Sequence, residues 1–131
     1  MPITVEEAAD LFERRVSAWL AEDIDAYLSL WADDMTFCSP VHSEPLEGKK
    51  AYEELIRGSL SVVRPVAFYV GHLAVRDDLV LAEWSGEIER RSDGASFGWD
   101  GMSICEIRWG LIAWWREYWN PAAFLNPVAV S

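Results

Sequence analysis

The hydrophobic pattern of the chain changes from helical spacing in its first half to strand alternation in its second half. Thr4 and Glu7 have the spacing of a capping box, which predicts a helix over about residues 5–21. Apolar residues at helical spacing predict two further helices, over residues 23–31 and about 49–60. Between them, "MTFCS" is typical of a short strand.

The second half of the chain predicts four long strands joined by short turns. Asp93-Gly94 between two of these strands is a strong hairpin signal. Three helices followed by a four-stranded antiparallel meander make an α+β fold, with the helices on one face of the sheet. No linker or internal repeat interrupts residues 1–131, which we therefore expect to form a single domain. The predicted strands are residues 65–75, 79–90, 96–107 and 111–119.

Strand alternation sorts the side chains of the predicted sheet into two faces. In the middle strand, the face turned toward the helices carries Ala82, Trp84, Gly86 and Ile88. In the last strand, one face carries Ala113, Trp115, Glu117 and Trp119, and the other carries Trp114, Arg116, Tyr118 and Asn120. Aromatic residues on both faces of the last strand indicate a cavity on one side and a homodimer contact on the other.

Composition and charge restrict the classes of partner. The eight Trp residues exceed what the core of a small domain needs, and aromatic residues in such number are typical of cavities and subunit interfaces. The formal net charge of −11 disfavours nucleic acid and anionic membranes. It also disfavours a strongly anionic substrate, unless a local Arg overrides the global field. Without a signal peptide, a membrane-length apolar run, or metal or redox spacing around the two Cys, we expect a cytoplasmic protein with no cofactor and no metal.

Two stretches of the chain carry a resemblance to a known superfamily. The stretch "LAEDIDAYLSLWADDMTFCSPVHSEPLEG" is close to the ketosteroid isomerase pattern, and "WREYWNP" follows at the last strand. Together with the order of elements, they make the chain resemble the nuclear-transport-factor-2-like superfamily, in its SnoaL-like and ketosteroid-isomerase-like group. The resemblance implies a cone-shaped domain in which three N-terminal helices pack on a curved antiparallel sheet and enclose an apolar pocket. Members are often dimers.

The same resemblance implies that most catalytic groups of these enzymes are replaced here. Ser39 stands where the isomerase has its general base, and Ser has no useful basicity near neutral pH. Arg15 and Ser103 stand at the positions of its two oxyanion donors. Of the limonene epoxide hydrolase pattern, only the acid of the last strand is kept, as Glu117. An acid on that strand is the general acid/base of SnoaL-like cyclases, so the resemblance makes Glu117 the leading catalytic candidate.

The residues themselves point to the same groups. Glu117 lies between two Trp on one strand face, where burial would raise its pKa into a useful range for acid/base chemistry. Arg15 interrupts an apolar stripe of the first helix and needs a partner, for which Glu117 is a candidate. Such an ion pair could equally be architectural. Gly101 could form a bulge that turns Asp100 inward. The role of His42, a lone loop His, stays open.

Two functional hypotheses follow. In the first, the protein is an enzyme that uses Glu117 for proton transfer while Arg15 or Ser103 polarises an oxygen of an apolar, cyclic substrate. Isomerisation, cyclisation, dehydration and epoxide opening all fit this chemistry. In the second, the same fold serves as a non-catalytic ligand-binding or dimerisation domain. The predicted binding residues are Phe37, Leu55, Trp84, Trp115 and Trp119.

Overall fold

The computed structural model describes residues 2–125 and residue 127, which form an α+β fold. Within these residues, three α-helices and a six-stranded mixed sheet make up the domain. In chain order the elements are α1 (Val5–Leu20), α2 (Ile24–Leu28), β1 (Trp31–Cys38), β2 (Leu46–Glu47), α3 (Lys49–Val62), β3 (Val63–Arg76), β4 (Leu79–Arg90), β5 (Ser96–Arg108) and β6 (Leu111–Trp119), followed by a 3₁₀ turn at Pro121–Phe124.

Helix α1 begins as the capping box predicts. The backbone N–H of Glu7 donates to Thr4 Oγ1, and the backbone N–H of Thr4 donates to Glu7 Oε1, each at 3.1 Å. Helix α2 ends at Leu28, so the prediction of a helix through residue 31 is wrong there. Trp31 instead begins strand β1 and is fully buried. Apolar spacing alone does not separate a helix that continues from a buried strand that follows it.

The sheet is larger than the sequence predicts and is not purely antiparallel. Its strand order is β2-β1-β6-β5-β4-β3. The four predicted strands β3 to β6 form the antiparallel meander, and β1 adds to β6 in parallel, with Phe37 opposite Trp115. This pairing joins the two halves of the chain, and no local turn signal can indicate it. The prediction of a wholly antiparallel sheet is therefore wrong.

The inner face of the sheet carries the core, and β4 alternates as predicted. Ala82, Trp84, Gly86 and Ile88 are buried, while the outer residues between them are more exposed. On β6, Trp115 is fully buried, whereas Tyr118 on the opposite face is 57% exposed. The helices cover the inner face, so the side chains of β4 and β6 that point inward meet those of α1, α2 and α3.

Two indole rings lie on glycines of the neighbouring strand. Gly101 is opposite Trp84, and a Cβ atom at Gly101 would lie 2.6 Å from the Trp84 ring. Gly86 is opposite Trp99, where a Cβ atom would lie 2.7 Å from the Trp99 ring. Real Cβ atoms do not approach other atoms this closely, so both glycines are needed for the indoles to occupy these positions.

The pairing of β4 with β5 is continuous through Gly101. No bulge occurs there, and the prediction that a bulge turns Asp100 inward is wrong. Because Gly101 faces inward beneath Trp84, its neighbour Asp100 lies on the outer face, where it is exposed. No helix among the described residues is long and apolar enough to cross a membrane.

Candidate active site

A cavity of about 230 Å³ lies between the helices and the inner face of the sheet. Half of its sixteen lining residues are Trp, Tyr or Phe, and Arg15 and Glu117 are the charged side chains among them. A more exposed cleft of about 480 Å³ shares Ser39, His42, Glu117 and Trp119 with the cavity. Glu117 is therefore reached both from the cavity and from the surface. The aromatic members of the cavity lining are Trp19, Tyr27, Phe37, Tyr52, Phe68, Trp84, Trp99 and Trp119.

The carboxyl group of Glu117 is held by two indole N–H donors from its own strand. Trp115 Nε1 donates to Oε1 at 2.8 Å, and Trp119 Nε1 donates to Oε2 at 2.6 Å. Residues two apart on a strand share a face, which brings both indoles to the carboxyl group. Burial raises the pKa of Glu117 above its ordinary value, against the lowering effects of the Trp115 N–H, the positive charge of Arg15 and the Trp119 N–H.

Arg15 is buried on α1 with aromatic rings around its guanidinium. The Arg15 Cζ atom lies 4.3 Å from the ring centroid of Trp115, 5.4 Å from that of Tyr27 and 5.7 Å from that of Phe68. No carboxylate of the described residues lies within 4.0 Å of its nitrogens, and Nε has no hydrogen-bond partner. The predicted ion pair with Glu117 is not formed, because the indole N–H groups take up the carboxyl oxygens instead.

Two tyrosine hydroxyls meet beside Arg15. Tyr27 on α2 and Tyr52 on α3 are both buried, and their hydroxyl oxygens are 2.8 Å apart. Burial raises the pKa of Tyr52 well above its ordinary value, so its hydroxyl stays protonated. The sequence gives no signal that the two hydroxyls meet, because the two residues are 25 positions apart in the chain.

The loop after β1 brings Ser39 and His42 together at the edge of the cavity. Ser39 Oγ and His42 Nδ1 are 2.6 Å apart, and the backbone N–H of His42 donates to the Ser39 carbonyl at 3.2 Å. The His42 ring also meets the ring of Phe37 edge-on, with 5.8 Å between centroids. Ser39 and His42 therefore both line the cavity, and the Ser39 hydroxyl is hydrogen-bonded to the His42 imidazole.

The remaining predicted site residues fall into two groups. Phe37, Leu55, Trp84 and Trp119 line the cavity. Trp115 lies behind the lining and carries Arg15 on its ring face. Ser103 is buried opposite Glu117, but its hydroxyl accepts the N–H of Trp84 at 3.2 Å and does not line the cavity.

No group of His, Cys, Asp or Glu side chains suited to holding a metal ion occurs in the part of the chain that the structure describes. What converges on the cavity is one carboxyl group, one guanidinium, two tyrosine hydroxyls and a serine–imidazole pair. These groups can transfer protons and stabilise negative charge on an oxygen.

Comparisons with known proteins agree with this architecture. A Bacillus subtilis (strain 168) relative, the uncharacterized protein YesE, is 24% identical over 122 residues, which cover 88% of this chain and 83% of YesE. A solved structure from Bacillus subtilis, provisionally named an isomerase, superposes with a TM-score of 0.81 at 24% identity and covers 90% of this chain and 89% of that one. An LEH-like epoxide hydrolase from M. tuberculosis superposes with a TM-score of 0.78 at 18% identity, and the match covers 92% of this chain and 87% of that one.

At these identities the structural likeness shows the shared fold. Membership is shown by a family model, described as the SnoaL-like domain, which matches residues 12–115. This range extends from the middle of α1 to the middle of β6 and includes both Arg15 and Trp115. The chain therefore belongs to the SnoaL-like domain family.

Proposed function

We propose that this protein is a small-molecule enzyme that acts by acid/base proton transfer on an apolar, cyclic substrate, with Glu117 as the proton-transfer group. One observation carries the proposal: a partly buried carboxyl group, fixed at both oxygens by indole N–H donors, lines an aromatic cavity. Catalytic carboxyl groups need a fixed position and a pKa moved toward the working pH, and Glu117 has both.

The hydrogen bonds leave Glu117 able to react. Each carboxylate oxygen offers two lone pairs and gives one to an indole. The remaining lone pairs can take a proton from a substrate and return it at a neighbouring atom. As a general base, Glu117 makes the rate rise with pH around a midpoint above the ordinary pKa of 4.5.

Negative charge that develops on a substrate oxygen would be stabilised by Arg15 and by the Tyr27–Tyr52 hydroxyl pair. Arg15 and Glu117 contact the same indole, Trp115, one at the ring face and the other at the N–H. A substrate among the cavity aromatics therefore lies within reach of a base and of a cation. Ser103 has no part in this stabilisation, because its hydroxyl accepts the N–H of Trp84.

The cavity volume restricts the substrate. A cavity of roughly 150 Å³ holds benzene, so about 230 Å³ encloses roughly nine non-hydrogen atoms, one ring with short substituents. A longer substituent would extend into the exposed cleft beside Glu117. Isomerisation, cyclisation, dehydration and epoxide opening each need one proton transfer next to a polarised oxygen. The isomerase and epoxide hydrolase names of two structural neighbours support this range of reactions.

The test is turnover by Glu117→Gln. We expect monocyclic unsaturated ketones or epoxides to be turned over by the unaltered protein, and kcat to fall about 10²- to 10⁴-fold in the variant. Glu106→Gln is the matched control, because Glu106 is an exposed acid on the outer face of β5. Equal turnover by both variants would remove Glu117 from the mechanism. Ligand binding without any turnover would favour the non-catalytic alternative.

We also propose that the outer face of the sheet forms a homodimer contact. Arg116 and Tyr118 are exposed on β6 beside the partly buried Trp114, and Met102 of β5 is exposed next to Tyr118. Exposed aromatic and Met side chains together with an Arg are typical of protein interfaces. Sedimentation at micromolar concentration should give a dimer mass that Tyr118→Glu reduces to a monomer; a monomer in the unaltered protein would contradict the proposal.

A further inference from the structure

Arg15 carries a buried charge that no acid of the described residues contacts. It is 9% exposed, it has no carboxylate within 4.0 Å, and its Nε has no hydrogen-bond partner. Of the eight other arginines, Arg76 and Arg116 are exposed to solvent, and each of the remaining six pairs with an acid. These pairs are Arg14–Asp10, Arg57–Glu53, Arg64–Glu89, Arg90–Asp93, Arg91–Glu22 and Arg108–Asp34.

The groups around Arg15 offset its charge only in part. Three aromatic rings offer cation–π contacts, the closest with Trp115. Glu117 is the acid of the same cavity, but its two carboxyl oxygens accept the N–H groups of Trp115 and Trp119 and make no ion pair with the guanidinium. An Arg side chain remains charged at every relevant pH. The guanidinium is therefore a permanent positive charge that no carboxylate of the described residues contacts, beside a cavity with room for a ligand.

A ligand changes this balance in a way that depends on its own charge. A neutral ring that fills the cavity excludes solvent from the guanidinium and supplies no opposite charge, which makes the burial of Arg15 less favourable. An anionic ligand excludes the same solvent but brings oxygen acceptors and the missing charge. The cavity consequently favours an anion in the bound ground state, before any reaction takes place.

The tyrosine pair adds a donor for the same anion. Two hydroxyl groups carry two protons, and their mutual hydrogen bond uses one of them. The second hydroxyl proton is free to be donated, and both Tyr27 and Tyr52 line the cavity next to Arg15. A guanidinium and a hydroxyl donor on one side, with aromatic rings on the others, suit a carboxylate attached to a ring.

We infer that the cavity binds a monocyclic carboxylate, with its carboxylate group on Arg15 and the tyrosine pair and its ring among the aromatic side chains. This deepens the proposed function and rests on it, because it takes the cavity beside Glu117 as the substrate site and names the substrate class. The net charge of −11 opposes anions at long range, and the buried guanidinium overrides it locally.

Benzoate and benzamide have nearly the same shape but differ in charge. Comparing their affinities therefore separates the contribution of the carboxylate charge from that of the ring. Quenching of Trp fluorescence reports occupancy, because Trp115 lies against Arg15 and several other Trp line the cavity. We expect benzoate to bind at least about tenfold more tightly than benzamide. Equal affinity for the two ligands, or no benzoate binding at millimolar concentration, would overturn the inference.

Arg15→Met should abolish the preference for benzoate. Arg14→Met is the matched control: Arg14 is the next residue on α1, is exposed and is paired with Asp10, so its loss should leave the preference unchanged. If Arg15→Met does not fold, the double variant Tyr27→Phe/Tyr52→Phe provides the second test, since it removes both hydroxyl protons of the pair. That variant should weaken benzoate binding severalfold and leave benzamide binding unchanged. An unchanged preference for benzoate in either variant contradicts the inference.

Glu117→Gln distinguishes failure of the catalytic proposal from failure of the anion-site proposal. The variant removes the only acid near Arg15 in the cavity lining, so benzoate should bind it at least as tightly as the unaltered protein, even though turnover is lost. Turnover that survives this substitution while benzoate binding persists would refute the catalytic proposal alone. Loss of the benzoate preference together with a large fall in kcat would refute the anion site alone.

Discussion

Trp119→Phe tests how the pKa of Glu117 is set. The substitution keeps an aromatic ring and removes the N–H that donates to Glu117 Oε2 at 2.6 Å. A hydrogen bond to a charged group contributes about 1.5–3 kcal/mol, and one pKa unit corresponds to about 1.36 kcal/mol. Complete loss of the bond would raise the pKa by about one to two units. Because solvent from the adjoining cleft can replace part of it, we expect about one unit.

The ¹³C chemical shift of the Glu117 carboxyl carbon reports its titration. The resonance is assigned as the one missing from Glu117→Gln, and its midpoint is compared between the unaltered protein and Trp119→Phe. Trp109→Phe is the matched control, since Trp109 is 92% exposed in the β5–β6 turn and makes no contact with the carboxyl group. A midpoint that stays in place or moves down in Trp119→Phe would refute the account of this site.

The same change has a consequence for stability. An acid whose pKa is raised in the folded state contributes its full stability below its unfolded pKa of about 4.5 and loses it as the pH rises through the folded pKa. Above that pH, the free energy of unfolding of Trp119→Phe should be lower by about 1.4 kcal/mol for each unit by which the substitution raises the Glu117 pKa further. Urea unfolding at pH 4 and pH 8 should therefore show a larger difference from the unaltered protein at pH 8. A difference that is independent of pH contradicts the linkage.

Three further substitutions test the packing of the site. Gly101→Val forces the Trp84 ring away and should lower the free energy of unfolding in urea by about 1–3 kcal/mol. The control Gly58→Ala, in an open part of α3, should be neutral or stabilising by up to about 1 kcal/mol. Equal effects of the two substitutions would contradict the close Gly101–Trp84 contact. Ser103→Ala removes the acceptor of the Trp84 N–H and should cost about 1–3 kcal/mol while kcat stays unchanged; a large fall in kcat would restore a catalytic role for Ser103. Asp100→Asn should change neither stability nor turnover measurably, because Asp100 is exposed on the outer face, and lost activity would contradict that position.

The parts of the fold that depend on neighbouring residues follow from the sequence. The Thr4–Glu7 capping box fixes the start of α1, and strand alternation fixes which face of β4 carries Trp84. The parallel pairing of β1 with β6 joins residues from opposite halves of the chain, so no local pattern reports it. Trp31 is an example: it continues the helical spacing of the apolar residues of α2, yet it lies in β1 and pairs with Ile112 in the sheet.

The site was predictable to the level of which residues face inward. Glu117 and Arg15 both line the cavity, as a carboxyl group between two Trp and a cation in an apolar stripe suggest. Their partners were not predictable from charge. Opposite charges on facing elements suggest a salt bridge, but the indoles two residues before and after Glu117 lie closer to its oxygens than α1 does. Tyr27 and Tyr52 likewise meet through tertiary packing.

The indole between the two charges explains how both remain available. Trp115 accepts the Arg15 guanidinium on its ring face and donates its N–H to Glu117. A carboxylate that accepts this N–H increases the electron density of the ring, which strengthens its attraction for the cation. Direct contact between the two groups would instead lower the pKa of Glu117 and occupy the guanidinium. Separated by a neutral ring, the carboxyl group can still exchange a proton while Arg15 binds an anion.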